Sequence, residues 1–497
     1  MKKLLVLFLL IGFSACLFAQ LHPDHKRANN WIFGCDDNGA IWYNFNYPFT
    51  NTIANPAVCC ALGYAHSTIS DTAGNLMFHI SDGPLLNRNF QIVDYLEAYN
   101  CGMYGSLFLP VPGNDSLILV FHSGCFTEGF SGLRYSLLNA KANNGLGSIV
   151  FKNTMLLPRA SGSVAAACHN NGKDYWLVSA DTSSNMYSWL IDSTGVPQLR
   201  DSKQVISTKT LFGTPIARIV MAFTPRFEAD ILGIVSDDFE NGLVTDYTVS
   251  LMKFDNEAGT FGEELLIESH AGIVQSGDFF SAQLSFSPSG KWLYIPFVET
   301  TVPRDGYIKR YTNLYDAQTI NDVYSEIVYS SNVKSSPYTI QCTPYGNMVF
   351  YRINENTPAT PKTTFTSYIL YPDSAQPVLL LDAVSTGSAS TNTTTLAPLN
   401  NLPWQWYYRP EGYVNIPVNL NIPLLVAPNP VNDVLYILNI EQEIKSVIIF
   451  DITGRIYNPL FKPMGEIYTS NLNNGIYLLK IEFRNGLYKT AKIVVQH

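Results

Sequence analysis

The chain has 497 residues, a net charge of −9 and only 14% charged residues, against roughly 25% in ordinary globular domains. Aromatics reach 13%, and Tyr, Phe, Thr, Val and Ile favour strands, so the composition is that of an all-β protein. The acidic balance excludes the basic footprint that nucleic-acid phosphates need, and no stretch reaches the roughly 18 apolar residues of a transmembrane helix.

In chain order, Met1-Lys2-Lys3 is a basic start, Leu4 to Phe13 an apolar run, and Leu17-Phe18-Ala19 precedes Gln20. That layout predicts a secretory signal peptide over residues 1–19, cut between Ala19 and Gln20. A rival is a lipobox at Phe13-Ser14-Ala15-Cys16, which would lipidate Cys16. Loss of the signal removes Lys2 and Lys3 and leaves the mature chain more acidic.

Seven cysteines remain: Cys35, Cys59, Cys60, Cys101, Cys125, Cys168 and Cys342. An oxidising compartment permits disulfides. Pairing Cys35 with Cys59 or Cys60, and Cys101 with Cys125, would staple early loops. The odd count leaves at least one thiol over, and the connectivity stays open. The Cys59-Cys60 doublet lacks the ligand spacing of a zinc site.

Between residues 28 and 400 a polar, Gly-containing turn followed by a strand recurs. It is seen at Ser70 to His79, Pro112 to Phe121, Asn170 to Val178, Thr224 to Ile234, Ser287 to Pro296 and Thr343 to Tyr351. Type I turns and bulged hairpins explain the Pro and Gly positions. Second hairpins follow at Leu133 to Leu138, Tyr187 to Asp192, Val249 to Asp255 and Ser367 to Tyr371. Two hairpins per unit make a four-stranded blade, and a period of roughly 40 to 60 residues predicts a β-propeller. Six turns are present. The early strands Trp31 to Gly34 and Ala40 to Tyr43 are expected to join late residues in a seventh blade, with six to eight blades allowed. Two packed β-sandwiches are the rival architecture. Gln91 to Tyr99 is the nearest approach to a short helix.

Ser385 to Thr395 is rich in Ser, Thr and Gly, a flexible composition. Residues 401–423 read as a connector, with an aromatic cluster from Trp404 to Tyr408 and an extended stretch ending at Pro423. From Leu424 to His497 short apolar runs alternate with hairpin turns, including Asn473-Asn474-Gly475 and Asn485-Gly486. This predicts a small antiparallel, Ig-like β-sandwich. It is nearly neutral while residues 20–423 are acidic, so tail and body read as separate units.

Three segments of that tail stand out. They are Pro428-Asn429-Pro430, the Asp451-Ile452-Thr453-Gly454-Arg455 turn, and Asn474-Gly475-Ile476-Tyr477. In this order, at the C-terminal end of a chain with a signal peptide, they resemble the type A C-terminal sorting domain of the Bacteroidota type IX secretion system. The resemblance implies recognition by the outer-membrane translocon, then cleavage, with the product released or attached to surface lipopolysaccharide. The body, through Asn30 to Gly34, Thr68 to Asp71, Ser81-Asp82-Gly83 and Asn171 to Trp176, resembles a propeller-like ectodomain of secreted Bacteroidota proteins. That likeness implies architecture and no particular chemistry.

The short motifs with known mechanisms are missing: there is no His-Glu-x-x-His, Gly-x-Ser-x-Gly, P-loop or EF-hand loop. No catalytic residue, cofactor or metal is therefore assigned. His66, His79 and His122 would hold a metal only if inner strands brought them together; separate histidines are the simpler expectation. Asp36-Asp37 and Asp237-Asp238 offer paired carboxylates, but neighbours on a strand point to opposite faces, so both doublets are expected to be solvated turns. Trp42, Tyr43, Tyr47 and the Trp404 to Tyr408 cluster could stack on sugar rings. The sequence thus favours an exported propeller that binds a glycan or protein ligand. An extracellular carbohydrate-active hydrolase or lyase is the alternative.

Overall fold

In the computed structural model, the structure describes residues 26–45 without 37–38, 52–53, 66–98 without 82, 105–124 and 132–205. It further describes 218–270 without 226–229 and 241–242, and 279–389 without 281–282, 300–305, 332–334, 345 and 355–361. The last stretch is 424–497 without 425, 439–443, 463–464 and 484–487. The signal segment, the connector, Tyr47, Cys59, Cys60, Cys101 and Cys125 lie outside these residues, as does the side chain of Cys35.

Among the described residues seven antiparallel sheets follow one another along the body. The first holds β1 (Asn30–Asp36), β2 (Gly39–Asn44) and β3 (Thr52–Ile53). The second holds β4 (His66–Ser70), β5 (Leu76–Ser81), β6 (Pro84–Asn87) and β7 (Ile92–Tyr95). The third holds β8 (Ser106–Val111), β9 (Asn114–Gly124), β10 (Gly132–Asn139) and β11 (Ser148–Leu157). In the fourth are β12 (Ala160–Cys168), β13 (Tyr175–Asp181), β14 (Asn185–Ile191) and β15 (Gln198–Gln204). In the fifth are β16 (Arg218–Phe223), β17 (Ile231–Glu240), β18 (Leu243–Asp255) and β19 (Thr260–His270). The sixth starts with two short pieces, β20 (Phe279–Phe280) and β21 (Ser285–Phe286), both paired with β22 (Leu293–Glu299). It continues through β23 (Gly306–Thr312) and β24 (Tyr324–Ser330). The seventh holds β25 (Ser335–Cys342), β26 (Met348–Asn354), β27 (Lys362–Leu370) and β28 (Val378–Ala389).

Each sheet is a meander, and the first strands of successive sheets touch: β1 with β4, β4 with β8, β8 with β12, β12 with β16, β16 with β21, and β21 with β25. That is a propeller with the first strands innermost. The first two strands of a blade are joined by the turn that recurs in the sequence. Asp71 N–H donates to Asn75 O, His169 N–H to Asp174 O, Ser287 N–H to Trp292 O and Thr343 N–H to Asn347 O. Gly74, Gly113, Gly172, Gly290 and Gly346 each take positive φ there, a conformation that glycine adopts without a Cβ penalty.

Inner strands bury both faces, which explains their long apolar runs. On β12, Val164, Ala166 and Cys168 belong to the core shared with earlier blades. Ala165 and Ala167 point the other way, onto Ile219, Met221 and Phe223 of β16. This is the two-residue period of a strand used on both sides.

Ring closure differs from the sequence expectation. Among the described residues no late strand joins β1–β3, because the seventh sheet already holds four strands of its own. Packing closes the ring instead. Trp31, Tyr43 and Phe45 share a buried cluster with Val349, Tyr351 and Tyr368. Gln91 to Tyr99 also differs: Ile92–Tyr95 is the outer strand of the second sheet, not a helix. Its β-branched pair Ile92-Val93 follows a tight turn in which Phe90 N–H donates to Asn87 O, and so folds back on β6.

The C-terminal unit has two sheets. One contains β29 (Val426–Ala427), β30 (Val434–Ile437) and β33 (Glu466–Tyr468). The other runs β32 (Ile456–Tyr457), β31 (Ile444–Asp451), β34 (Gly475–Phe483) and β35 (Tyr488–Val495). Leu435, Ile437, Ile449, Leu479, Ile481 and Ile493 fill the space between them, giving an Ig-like sandwich. Tail and body are not independent. Ala427 and Leu438 lie in one buried cluster with Tyr368, Leu370 and Leu380 of the seventh blade.

Candidate functional site

The three tail segments singled out in the sequence converge at one end of the C-terminal sandwich. Asp451 closes β31 and pairs in register with Tyr477 on β34. Asp451 Oδ1 accepts from Thr453 N (2.9 Å), Thr453 Oγ1 (2.6 Å) and Arg455 N (3.0 Å). Tyr457 donates its hydroxyl to Asp451 Oδ2 at 3.2 Å. These bonds favour the ionised carboxylate and hold its pKa below the usual carboxylate value, the Thr453 hydroxyl contributing most. The turn needs Gly454 at φ 84°, and Arg455 lies over the Tyr457 ring at 5.4 Å.

Tyr457 meets Tyr477 edge-on at 5.9 Å, and Tyr477 donates to Asn473 O at 2.8 Å. Asn429, between two cis X-Pro bonds, reaches across to β35. Its Nδ2 donates to Lys492 O (3.0 Å) and its Oδ1 accepts from Val494 N (2.7 Å). Gly475 pairs with Val495, and Asn474 Oδ1 accepts from His497 N at 2.8 Å. Pro428, Asn429, Pro430, Asp451, Gly454, Arg455, Asn474, Gly475 and Tyr477 thus surround one end of the unit. The outer face beside them carries exposed Ile452, Ile456, Ile476 and Leu478.

Residues 425–496 match the family model of the secretion system C-terminal sorting domain. The tail is a sorting domain. A sorting domain of this kind marks a chain for the type IX secretion system and so for the cell surface or the extracellular space. Among the described residues no helix is long and apolar enough to cross a membrane.

Solved structures similar to the chain include the β-propeller domain of Cps50 (Swd1) from Myceliophteria thermophila, at 11% identity and TM-score 0.35, covering 65% of this chain and 90% of that one. The SapL1 lectin in complex with α-methyl fucoside has 12% identity and TM-score 0.35, covering 68% and 99%. The BP39L lectin from Burkholderia pseudomallei has 10% identity and TM-score 0.33, covering 80% and 97%. These values are too low to carry a ligand or an activity across. No curated protein matches the chain.

In the body, the residues considered for chemistry fall apart. His66 and His79 sit on β4 and β5 of the second blade, His122 on β9 of the third. Among the described residues no three His, Cys, Asp or Glu side chains gather as a metal site would require. His122 is wholly buried, its ring nitrogens 3.1 Å from Glu97 O and 3.0 Å from Ser136 Oγ. Burial lowers its pKa to about 4. Asp36 ends β1 opposite Gly39, while Asp37 and the side chain of Asp36 lie outside the described residues. Asp237 and Asp238 correct the expectation of a solvated turn: they lie inside β17, where a bulge between Asp237 and Phe239 shifts the register.

Other charges, inconspicuous in the sequence, fasten blade to blade. Glu268 on β19 accepts from Lys309 Nζ (2.5 Å), from Tyr247 (3.3 Å) and from Tyr311. Arg310, fully buried, reaches Glu326 on β24 and, across the blade boundary, Ser374 O (2.7 Å) and Ala375 O (2.8 Å). Its guanidinium stacks 3.7 Å from the Trp292 ring. Of the aromatics expected to stack on sugars, Tyr43 is buried at the ring closure. Trp42 is engaged too: it donates to Asn30 Oδ1 at 2.9 Å and meets Phe90 edge-on. Cys168 and Cys342 are buried.

Proposed function

We propose that this secreted propeller is a ligand-binding module, delivered to the cell exterior by its sorting domain and acting there through its blades. The convergence of Asn429, Asp451, Arg455, Asn474 and Tyr477 on one end of a small sandwich carries the export half of this reading. These residues fix a single geometry that a translocon component would recognise. The binding half is supported by how the body uses its charges. Glu268, Arg310 and His122 are engaged in contacts from one blade to the next. Such a scaffold is stiff, and its rim offers grooves between blades to a glycan or protein partner.

The export half is tested by secretion of variants in the motif residues. The binding half is tested by screening the purified exported chain against immobilised glycans and peptides, followed by turnover assays on every hit. Binding without turnover is expected. Hydrolysis or elimination of a bound carbohydrate would replace the binding-module reading with that of an enzyme.

A further inference from the structure

We infer that the groove between the second and third blades is a binding site for a neutral saccharide, an inference that rests on the binding reading above. The groove is open to solvent and offers about 560 Å³ beside the outer strands β7 and β11, within the range of small-molecule pockets. Its lining mixes carboxamides (Asn87, Gln91, Asn143) with an ion pair (Asp94, Lys152) and an aromatic ring (Phe151).

Three properties of that lining select the ligand. Carboxamides both donate and accept, as do sugar hydroxyls. Asn87 is buried and spends its amide on Asn89 N, Gln91 N and Gln91 Oε1, which sets Gln91 at the groove. The Gln91 amide Nε2 and Asn143 Oδ1 are therefore the groups that face a saccharide's hydroxyls. The charges cancel: Lys152 Nζ lies 2.8 Å from Asp94 Oδ1 across the blade boundary, leaving no surplus charge for an ionic ligand. Apolar surface is exposed along the same lining, with Ile92 49%, Val150 56% and Phe151 38% accessible. The Phe151 and Tyr135 rings stand at a right angle, with centroids 5.6 Å apart. An aromatic plate beside planar amides suits a pyranose, whose C–H face is apolar and whose rim is polar.

The groove is also built rigidly. Among the described residues eight non-glycine residues have positive φ, and four of them (Phe90, Asn143, Asn144 and Asn153) border it. Such conformations cost roughly 1–3 kcal/mol each and persist where their surroundings enforce them. Here Arg88 Nη2 donates to Asn144 O (3.1 Å), Asn143 Nδ2 to Gly147 O (3.0 Å), and Glu97 N to Asn153 Oδ1 (3.1 Å). Gly147, at φ 84°, rests against Phe78 so closely that a Cβ would lie 2.6 Å from the ring. A preformed site loses little entropy on binding.

The test uses the full exported chain on an array of immobilised neutral and acidic oligosaccharides, with affinities then measured by titration calorimetry. Phe151→Ala and Gln91→Ala are compared with Tyr324→Ala, an exposed position on β24 of the sixth blade. At least one neutral glycan is expected to bind, with affinity reduced about tenfold or more by Phe151→Ala and unchanged by Tyr324→Ala. Unchanged thermal unfolding of all three variants excludes a folding defect. Glycan binding that survives both groove variants, or that is confined to acidic glycans, overturns the groove assignment while leaving the binding reading intact. Capture of peptides alone does the same. A blank across glycans and peptides overturns both.

Discussion

Tyr43 of the first blade and Thr366 of the last share a hydrogen bond of 2.6 Å between side-chain oxygens, 323 residues apart in the chain. Around it Trp31, Phe45, Tyr351 and Tyr368 are buried. Among the described residues the ring is therefore shut by side chains and not by a strand shared between the ends of the body. Tyr43→Phe keeps the ring and removes the bond, for an expected loss of about 1 kcal/mol. Tyr43→Ala opens a cavity at the seam and is expected to cost roughly 3–5 kcal/mol. Chemical denaturation of the two variants checks the difference.

Alkali should unfold the body through its buried phenols. Burial raises the pKa of Tyr43, Tyr294 and Tyr307 to about 12, from an ordinary value near 10. Each group is neutral in the fold, so its contribution is complete below pH 10 and is lost as pH rises through the folded value. Stability measured between pH 9 and 12 should fall steeply above pH 10, and Tyr43→Phe should flatten that fall.

His122 acts at the acid end. Its folded pKa of about 4 lies below the ordinary 6.5, with burial the first cause, the Glu97 carbonyl opposing and Arg134 adding repulsion. The neutral ring is the folded form, so stability is complete above about pH 6.5 and falls by roughly 3 kcal/mol as pH drops to 4. His122→Asn is expected to lower stability at pH 7 and to weaken its dependence on pH between 4 and 6.5. Equal slopes in both proteins would refute this.

Arg310 joins the sixth and seventh blades. Its guanidinium bonds Glu326 and the carbonyls of Ser374 and Ala375 while lying on Trp292. A lysine offers three donors and no plane. Arg310→Lys keeps the charge but loses part of this bonding and the ring contact, and is therefore expected to destabilise by about 1–3 kcal/mol. Denaturant midpoints give the number.

Export depends on the end of the sandwich where the motifs meet. Asp451→Ala removes the acceptor for two backbone N–H groups and two hydroxyls, and should leave the protein folded but inside the cell. Deleting residues 424–497 should abolish export as well. It should also lower the stability of the body by a few kcal/mol, because Tyr368, Leu370 and Leu380 lose the cover of Ala427 and Leu438. Fractionation of cells and medium checks the first effect, thermal unfolding of the purified body the second.

Much of the fold is legible in the sequence because propeller turns are local. Gly74, Gly172, Gly290 and Gly346 sit in short polar segments whose chemistry dictates the hairpin, and the motif residues of the sorting domain have few alternatives at their turns. What escaped is non-local. The Tyr43–Thr366 seam joins distant residues with no pattern in common, and the groove assembles Gln91 with Phe151 from two blades. β7 read as a helix candidate because a four-residue edge strand is too short to show a two-residue period. Ile476 and Leu478 look like core residues until the pairing of β34 puts them outside.

The clasp between Asn429 and β35 couples targeting to translation. The segment that opens the sorting domain finds its partners, Lys492 O and Val494 N, only when the ribosome has added more than sixty further residues. Val431 is held in the same way, donating to Val494 O and accepting from Gln496 N. A chain halted by a premature stop upstream of β35 would possess every blade of the cargo and still lack a finished export signal. The cell would thereby retain incomplete copies and send out only those read through to β35.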